Sequence, residues 1–161
     1  MPSDKELFEL WFAQPLRKLE AMPGGQGGFI ALATSCLLYE RLAKAFLSSK
    51  SLKADTQALI MQLASDFSVD EPTATAFWSV IRSGLLHQAM PLQQKQKAPL
   101  PKWAFHPDYP LMALEQINGS PFLKVQPWKF MKRVLELWES NVALLSASQS
   151  FPWATVGPVP A

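Results

Sequence analysis

The sequence predicts a mainly α protein: a four- to five-helix bundle with a proline-rich insertion and a small β-hairpin before the last helix. Three observations carry this prediction. Apolar residues recur at steps of three and four from Leu7 to Leu85, and again from Phe130 to Leu145. Two breaker-rich stretches, Met22–Gly28 and Met90–Pro110, interrupt that pattern. Asn118-Gly119 ahead of Phe122-Leu123-Lys124-Val125 is the signature of a tight turn between strands.

Each element follows from its residues. Leu7, Phe8, Trp11, Phe12, Leu16 and Leu19 form one helical face, with Pro15 expected to kink or split it. Met22-Pro23-Gly24-Gly25-Gln26-Gly27-Gly28 fits neither GxGxxG nor a P-loop and has no strand before it, so it reads as a flexible linker. A helix over 29–47 is apolar nearly all round in its first half, as a buried central helix would be, and carries Glu40, Arg41 and Lys44 at exposed spacing in its second. Leu59, Ile60, Leu63 and Phe67 predict a helix over 55–66. Asp70-Glu71-Pro72 then supplies an N-cap, a first-turn acid and an early proline for a helix burying Phe77, Trp78, Ile81 and Leu85. Pro91, Pro99, Pro101, Pro107 and Pro110 exclude a regular helix, while Trp103 and Phe105 alternate as in a short strand. Residues 111–117 fit a strand or a helical turn. The last helix is expected from near Pro127 to about Ser146, with Phe130, Val134, Leu137, Trp138, Val142 and Leu145 inward.

With 161 residues the chain suits one domain, expected over 1–147, followed by a flexible C-terminal tail over 148–161 that is rich in proline and lacks any period. Hydrophobic residues at 48% against 17% charged are enough for a packed core, which excludes a wholly disordered chain. A net charge of +2 is too small to indicate nucleic acid by itself, so any RNA contact has to come from a local patch. No run is long enough to span a bilayer, the start does not read as a signal peptide, and a soluble, cytoplasmic protein is expected. The single cysteine, Cys36, lies in an apolar run and reads as a core residue. Two histidines without clustered ligands imply neither a metal nor a cofactor.

Chemistry concentrates in Phe77-Trp78-Ser79-Val80-Ile81-Arg82-Ser83-Gly84-Leu85-Leu86-His87-Gln88. Arg82 is a permanent, fork-shaped anion binder, and His87 is a side chain that titrates near neutrality. Together on a phosphate they are suited to bind it and move protons around it, with the Ser83 hydroxyl as an added donor. Five helical steps leave Arg82 and His87 about 140° apart on an ideal helix. They converge only if the helix loosens, for which Gly84 is the natural place, or if they meet across a dimer. The same two cations in a last helical turn also satisfy free carbonyls with no catalysis. His106 reads as a surface residue. Lys95, Lys97 and Lys102 beside Trp103 and Phe105 read as a solvated loop with a weaker nucleic-acid alternative. Lys129, Lys132 and Arg133 read as the polar side of the last helix.

Arg82-Ser83-Gly84-Leu85-Leu86-His87 resembles the Arg-x(4–6)-His motif of the HEPN superfamily of small helical proteins. The wider context, Phe77-Trp78 leading into Arg82–Ala89 after an earlier helix with Cys36-Leu37-Leu38-Tyr39-Glu40, resembles bacterial HEPN-like proteins over about residues 29–89. The resemblance implies a helical bundle that dimerises so that two motifs face one cleft, and metal-independent endoribonuclease activity of a toxin or defence type. Arg82 would bind the scissile phosphate and His87 would act as acid or base. A homodimer, an RNA substrate and an antitoxin or regulatory partner follow as expectations. The position after the arginine is often Asn, Asp or His in the active enzymes and is Ser83 here. Some members are inactive, so the alternative is a non-catalytic helical interaction or regulatory module.

Overall fold

The computed structural model describes residues 3–92 and 100–144. The expected tail over 148–161 and the end of the expected domain, 145–147, lie outside the described residues. The described chain is mainly helical, with a small three-stranded sheet.

Helix α1 combines Asp4–Phe8, a wide π segment Glu9–Ala13 and Gln14–Glu20. Ser3 opens it with a capping box: its hydroxyl accepts from the Glu6 N–H, and the Glu6 carboxylate accepts from the Ser3 N–H at 2.7 Å. Pro15 neither splits this helix nor ends it. The turn before it widens, so that Gln14 N–H reaches the Glu9 carbonyl five residues back. The glycine stretch closes tightly onto α1, where a Cβ at Gly27 would lie 2.7 Å from the Leu19 carbonyl oxygen.

Helix α2 spans Gly28–Ser49 and is central, as expected, but not buried all round. Ile30 and Leu37 remain 59% and 56% exposed, because only the face with Ala31, Leu32, Ser35, Cys36 and Tyr39 meets other helices. Helix α3 spans Thr56–Phe67, capped by Asp55, whose carboxylate accepts from Ala58 N–H at 3.0 Å. Helix α4 is again composite: Glu71–Ala76, a π segment Phe77–Arg82, and Ser83–Gln88. Asp70 caps it as expected, accepting from Thr73 N–H at 2.9 Å. Hydrogen bonding from the Thr73 side chain and then from its N–H holds the Asp70 carboxyl below its ordinary value.

The expected hairpin is present and belongs to a larger unit. Strands β1 (Lys102–Phe105), β2 (Met112–Ile117) and β3 (Ser120–Val125) form one sheet in the order β1-β3-β2, with β2 antiparallel and β1 parallel to β3. Asn118 and Gly119 both take positive φ, 51° and 74°, the conformation a two-residue hairpin turn requires. Helix α5 (Pro127–Ser140) breaks at Asn141 and Val142, with helical backbone again at 143–144, and the expected end near Ser146 lies outside the described residues. There Ser140 Oγ and Asn141 Nδ2 donate to the Glu136 and Leu137 carbonyls, taking the place of further helical bonds.

The core lies where α2 and α5 pack against α1, α3 and α4. Trp138 is fully buried, and its indole N–H donates to the Leu38 carbonyl at 3.0 Å. Phe130 stacks between Phe67 and Phe77, each at 4.8 Å between centroids, a geometry worth about 1 kcal/mol per pair beyond burial. The sheet adds Met112, Leu123 and Val125 to the same core.

Candidate functional site

The motif sits where the wide turn of α4 passes α2. In the π segment the Ser83 N–H reaches the Trp78 carbonyl five residues back, and Ser83 Oγ donates to the same oxygen at 3.0 Å. The Ser83 hydroxyl proton is therefore committed to its own helix. Gly84 does not loosen the helix, since Ser83–Gln88 is regular α-helix and the wide turn ends at Arg82. Gly84 instead lets the chain cross close by. A Cβ there would lie 2.4 Å from Leu92 N and 2.5 Å from the Met90 carbonyl oxygen. The crossing is fixed by Leu92 N–H donating to the Val80 carbonyl at 2.9 Å.

Arg82 points at α2. Its Nε donates to Glu40 Oε2 at 2.9 Å, an Nη reaches the same oxygen, and the guanidinium lies 4.9 Å from the Trp78 ring. Lys44 pairs with the other carboxylate oxygen at 2.7 Å. The side chains of Arg82 and Glu40 are only 18% and 13% exposed. Glu40, Arg41 and Lys44 are thus not simply a solvated face, as their spacing suggested. Burial would raise the Glu40 carboxyl, but hydrogen bonds and charge from Lys44 and Arg82 outweigh it and hold it below the usual carboxylate range. Burial also lowers the pKa of Arg41.

These residues line a groove of about 640 Å³ between α2 and α4, with Leu37 and Leu86 as apolar walls and Ser48 and Ser49 at one end. Three cations against one carboxylate give the groove a net charge of +2. Glu40 takes two of the five guanidinium N–H donors of Arg82, leaving three for an anion. His87 is exposed one position beyond Leu86 and is not among the lining residues. Within one subunit the structure assembles a basic groove, and not an Arg82–His87 pair.

Cys36 is buried below this groove, and burial raises its thiol far above the ordinary value, which removes it as a nucleophile. His106 is exposed, as expected, on the turn after β1. Lys95 and Lys97 lie outside the described residues. Lys129, Lys132 and Arg133 are not merely solvated, bonding Tyr109 O at 2.8 Å, Glu20 at 2.8 Å and Asp66 O at 3.0 Å. Among the described residues no cluster of His, Cys, Asp and Glu is arranged to hold a metal, and no helix is long and apolar enough to cross a membrane.

Comparison with known proteins adds no relative: no family model, no curated protein and no solved structure matches the chain.

Proposed function

We propose that this chain is a HEPN-like, RNA-binding helical protein whose α2–α4 groove takes an RNA phosphate on Arg82, Arg41 and Lys44. We further propose that it cleaves RNA without a metal only as a homodimer, in which His87 of a second copy enters the groove. The observation that carries the reading is the groove itself, with three cations, one carboxylate and an arginine held in place by Glu40 and Trp78. Cleavage would proceed by attack of the neighbouring 2′-hydroxyl on phosphorus. The P–O2′ bond forms and the P–O5′ bond breaks, imidazole takes the 2′-hydroxyl proton, and a proton passes to the leaving O5′. In this reading the protein works in the cytoplasm, and an antitoxin-type or regulatory partner acts by covering the groove.

The divergence of Arg82 and His87 favours a second reading, the non-catalytic module, in which the groove binds and nothing is cut. One experiment separates the two. Binding of labelled single-stranded RNA in EDTA is expected to weaken about tenfold in Arg82→Ala, the loss of one charge-assisted contact, and to stay unchanged in His87→Ala. If the dimer cuts RNA, each single variant is inactive, and mixing the two restores about a quarter of parental cleavage through heterodimers. Binding without cleavage supports the module. RNA affinity that is absent in the parent, or indifferent to Arg82→Ala, overturns both.

A further inference from the structure

We infer that a second cavity, at the other end of α2, binds a nucleobase-class ring: a neutral, planar heterocycle bearing both N–H donors and acceptors. This cavity measures about 430 Å³, within the range of small-molecule sites. It lies at Gly28 and Phe29, thirteen residues and so about 20 Å along α2 from Arg41, and shares no lining residue with the basic groove.

Three aromatic side chains face it: Phe29, Phe105 and Trp128. Phe29 and Phe105 stand 5.0 Å apart at 58°, and Trp103 backs Phe105 at 5.0 Å, so the wall is a braced cluster. Phe29 is nevertheless 38% exposed. A lone exposed ring needs no explanation, but three rings turned to one cavity form a stacking surface.

The polar groups then select the ring. Glu20 contributes a carboxylate steadied by Lys132 at 2.8 Å. His106 Nδ1 accepts the Asp108 N–H at 3.2 Å and lies 3.5 Å from the Asp108 carboxylate, contacts that fix the ring and leave Nε2 for a ligand. Gln126 is buried and fixed at both ends, accepting from Lys129 N–H at 2.7 Å and donating to the Pro107 carbonyl at 3.5 Å. An anion inside the cavity would meet Glu20. A cation would meet the positive ends of α2 and α5, which start here at Gly28 and Pro127. A hydrocarbon would strip water from Glu20 and His106 without replacing their hydrogen bonds. A nucleobase edge supplies both the donor and the acceptor that these residues require. Gly24 and Gly25 also line the cavity, and a Cβ at Gly25 would meet nothing within 4 Å.

This site is independent of the RNA reading, because the ring can come from a free nucleoside or from an unpaired base of a strand. Saturation-transfer NMR and calorimetry with adenosine, guanosine, cytidine, uridine and a short RNA distinguish the sources. Saturation by a nucleoside identifies a free ligand; saturation by the RNA alone identifies a strand base. In either case Phe105→Leu is expected to weaken binding about tenfold, the scale of one base stack. His106→Ala, an exposed position that should fold normally, is expected to weaken it about fivefold, the scale of one hydrogen bond. Arg82→Ala is expected to leave nucleoside affinity unchanged, and competition by free nucleoside isolates this site's share of any RNA binding. No saturation by any of these probes, or binding equal to the parent in both Phe105→Leu and His106→Ala with circular dichroism unchanged, overturns the inference.

Discussion

Two wide turns interrupt two helices of this protein, and they arise from different causes. The turn Glu9–Ala13 in α1 precedes Pro15, whose ring would collide with a carbonyl four residues back in a regular helix. The turn Phe77–Arg82 in α4 has no proline. It is held from outside by Leu92 N–H, which takes the Val80 carbonyl, and from within by Ser83, which gives the Trp78 carbonyl both its N–H and its hydroxyl. The first is a local response of the chain to one residue. The second is imposed by tertiary structure, and it lies beside the basic groove. An added residue in a turn rotates whatever follows by about 100° relative to an unbroken helix, so the second turn sets the direction in which Arg82 meets Glu40.

The sharpest way to break this contrast is Gly84→Ala. The new methyl group would overlap Leu92 N at 2.4 Å, the Met90 carbonyl oxygen at 2.5 Å and the Pro91 carbonyl carbon at 2.7 Å, all backbone atoms. The crossing strap must move, and stability in urea is expected to fall by about 3 kcal/mol. If the loss stays under about 1 kcal/mol, the strap does not hold the wide turn.

Next in size is the Arg82–Glu40 contact. Glu40→Ala leaves a largely covered guanidinium without its counter-ion, and a loss of about 2 kcal/mol is expected, between the values for exposed and buried pairs. Its pH dependence has a definite sign. The folded-state carboxyl lies below its ordinary 4.5, so its stabilising contribution is complete above that value and disappears as pH falls through the lower folded pKa. Glu6 and Asp70 are shifted the same way and lose their contributions as pH falls below their own ordinary values, 4.5 and 3.8. The comparison that isolates Glu40 is parent against Glu40→Gln, whose stability difference should shrink between neutrality and strongly acidic pH. A constant difference would mean that the pair is not charge-coupled.

A smaller effect is expected from Ser83→Ala, about 1 kcal/mol for one internal hydrogen bond, with RNA affinity retained. Lost RNA affinity at unchanged stability would show instead that the hydroxyl serves a ligand.

What the sequence made legible follows the same division between local and imposed structure. Asp55 and Asp70 cap helices through bonds to residues three positions on, and Asn118-Gly119 turns through its own backbone, so each could be read from neighbours alone. The ends of α2 and α3 were legible from apolar periodicity. The groove was not. Glu40 and Arg82 are 42 positions apart, and nothing near either residue records their pairing. The i,i+4 spacing of Glu40 and Lys44 was visible but looked like ordinary surface. The second wide turn was hidden for the same reason, because the groups that stabilise it include Leu92, beyond the helix end. The exposed Ile30 and Leu37 reversed a reading based on composition, since an apolar face says nothing about whether a neighbour covers it.

Pro15→Ala tests the local half of the contrast and should have an effect as small as that of Ser83→Ala, with the opposite sign. Proline in a helix interior ordinarily costs about 3 kcal/mol, through the lost N–H and the ring clash. Here the widened turn has already relieved the clash, and Pro15 is exposed, so alanine regains little beyond a solvent-facing backbone bond and better helix propensity. A gain of about 1 kcal/mol is expected by urea denaturation. The turn itself should then be free to close to an α-helical register, which amide hydrogen exchange at Gln14 and residue 15 would report as increased protection. If the variant is instead destabilised, the packing of Phe8, Ala13 and Leu16 on the core holds the first turn open as firmly as the Leu92 strap holds the second. The two would then share one cause.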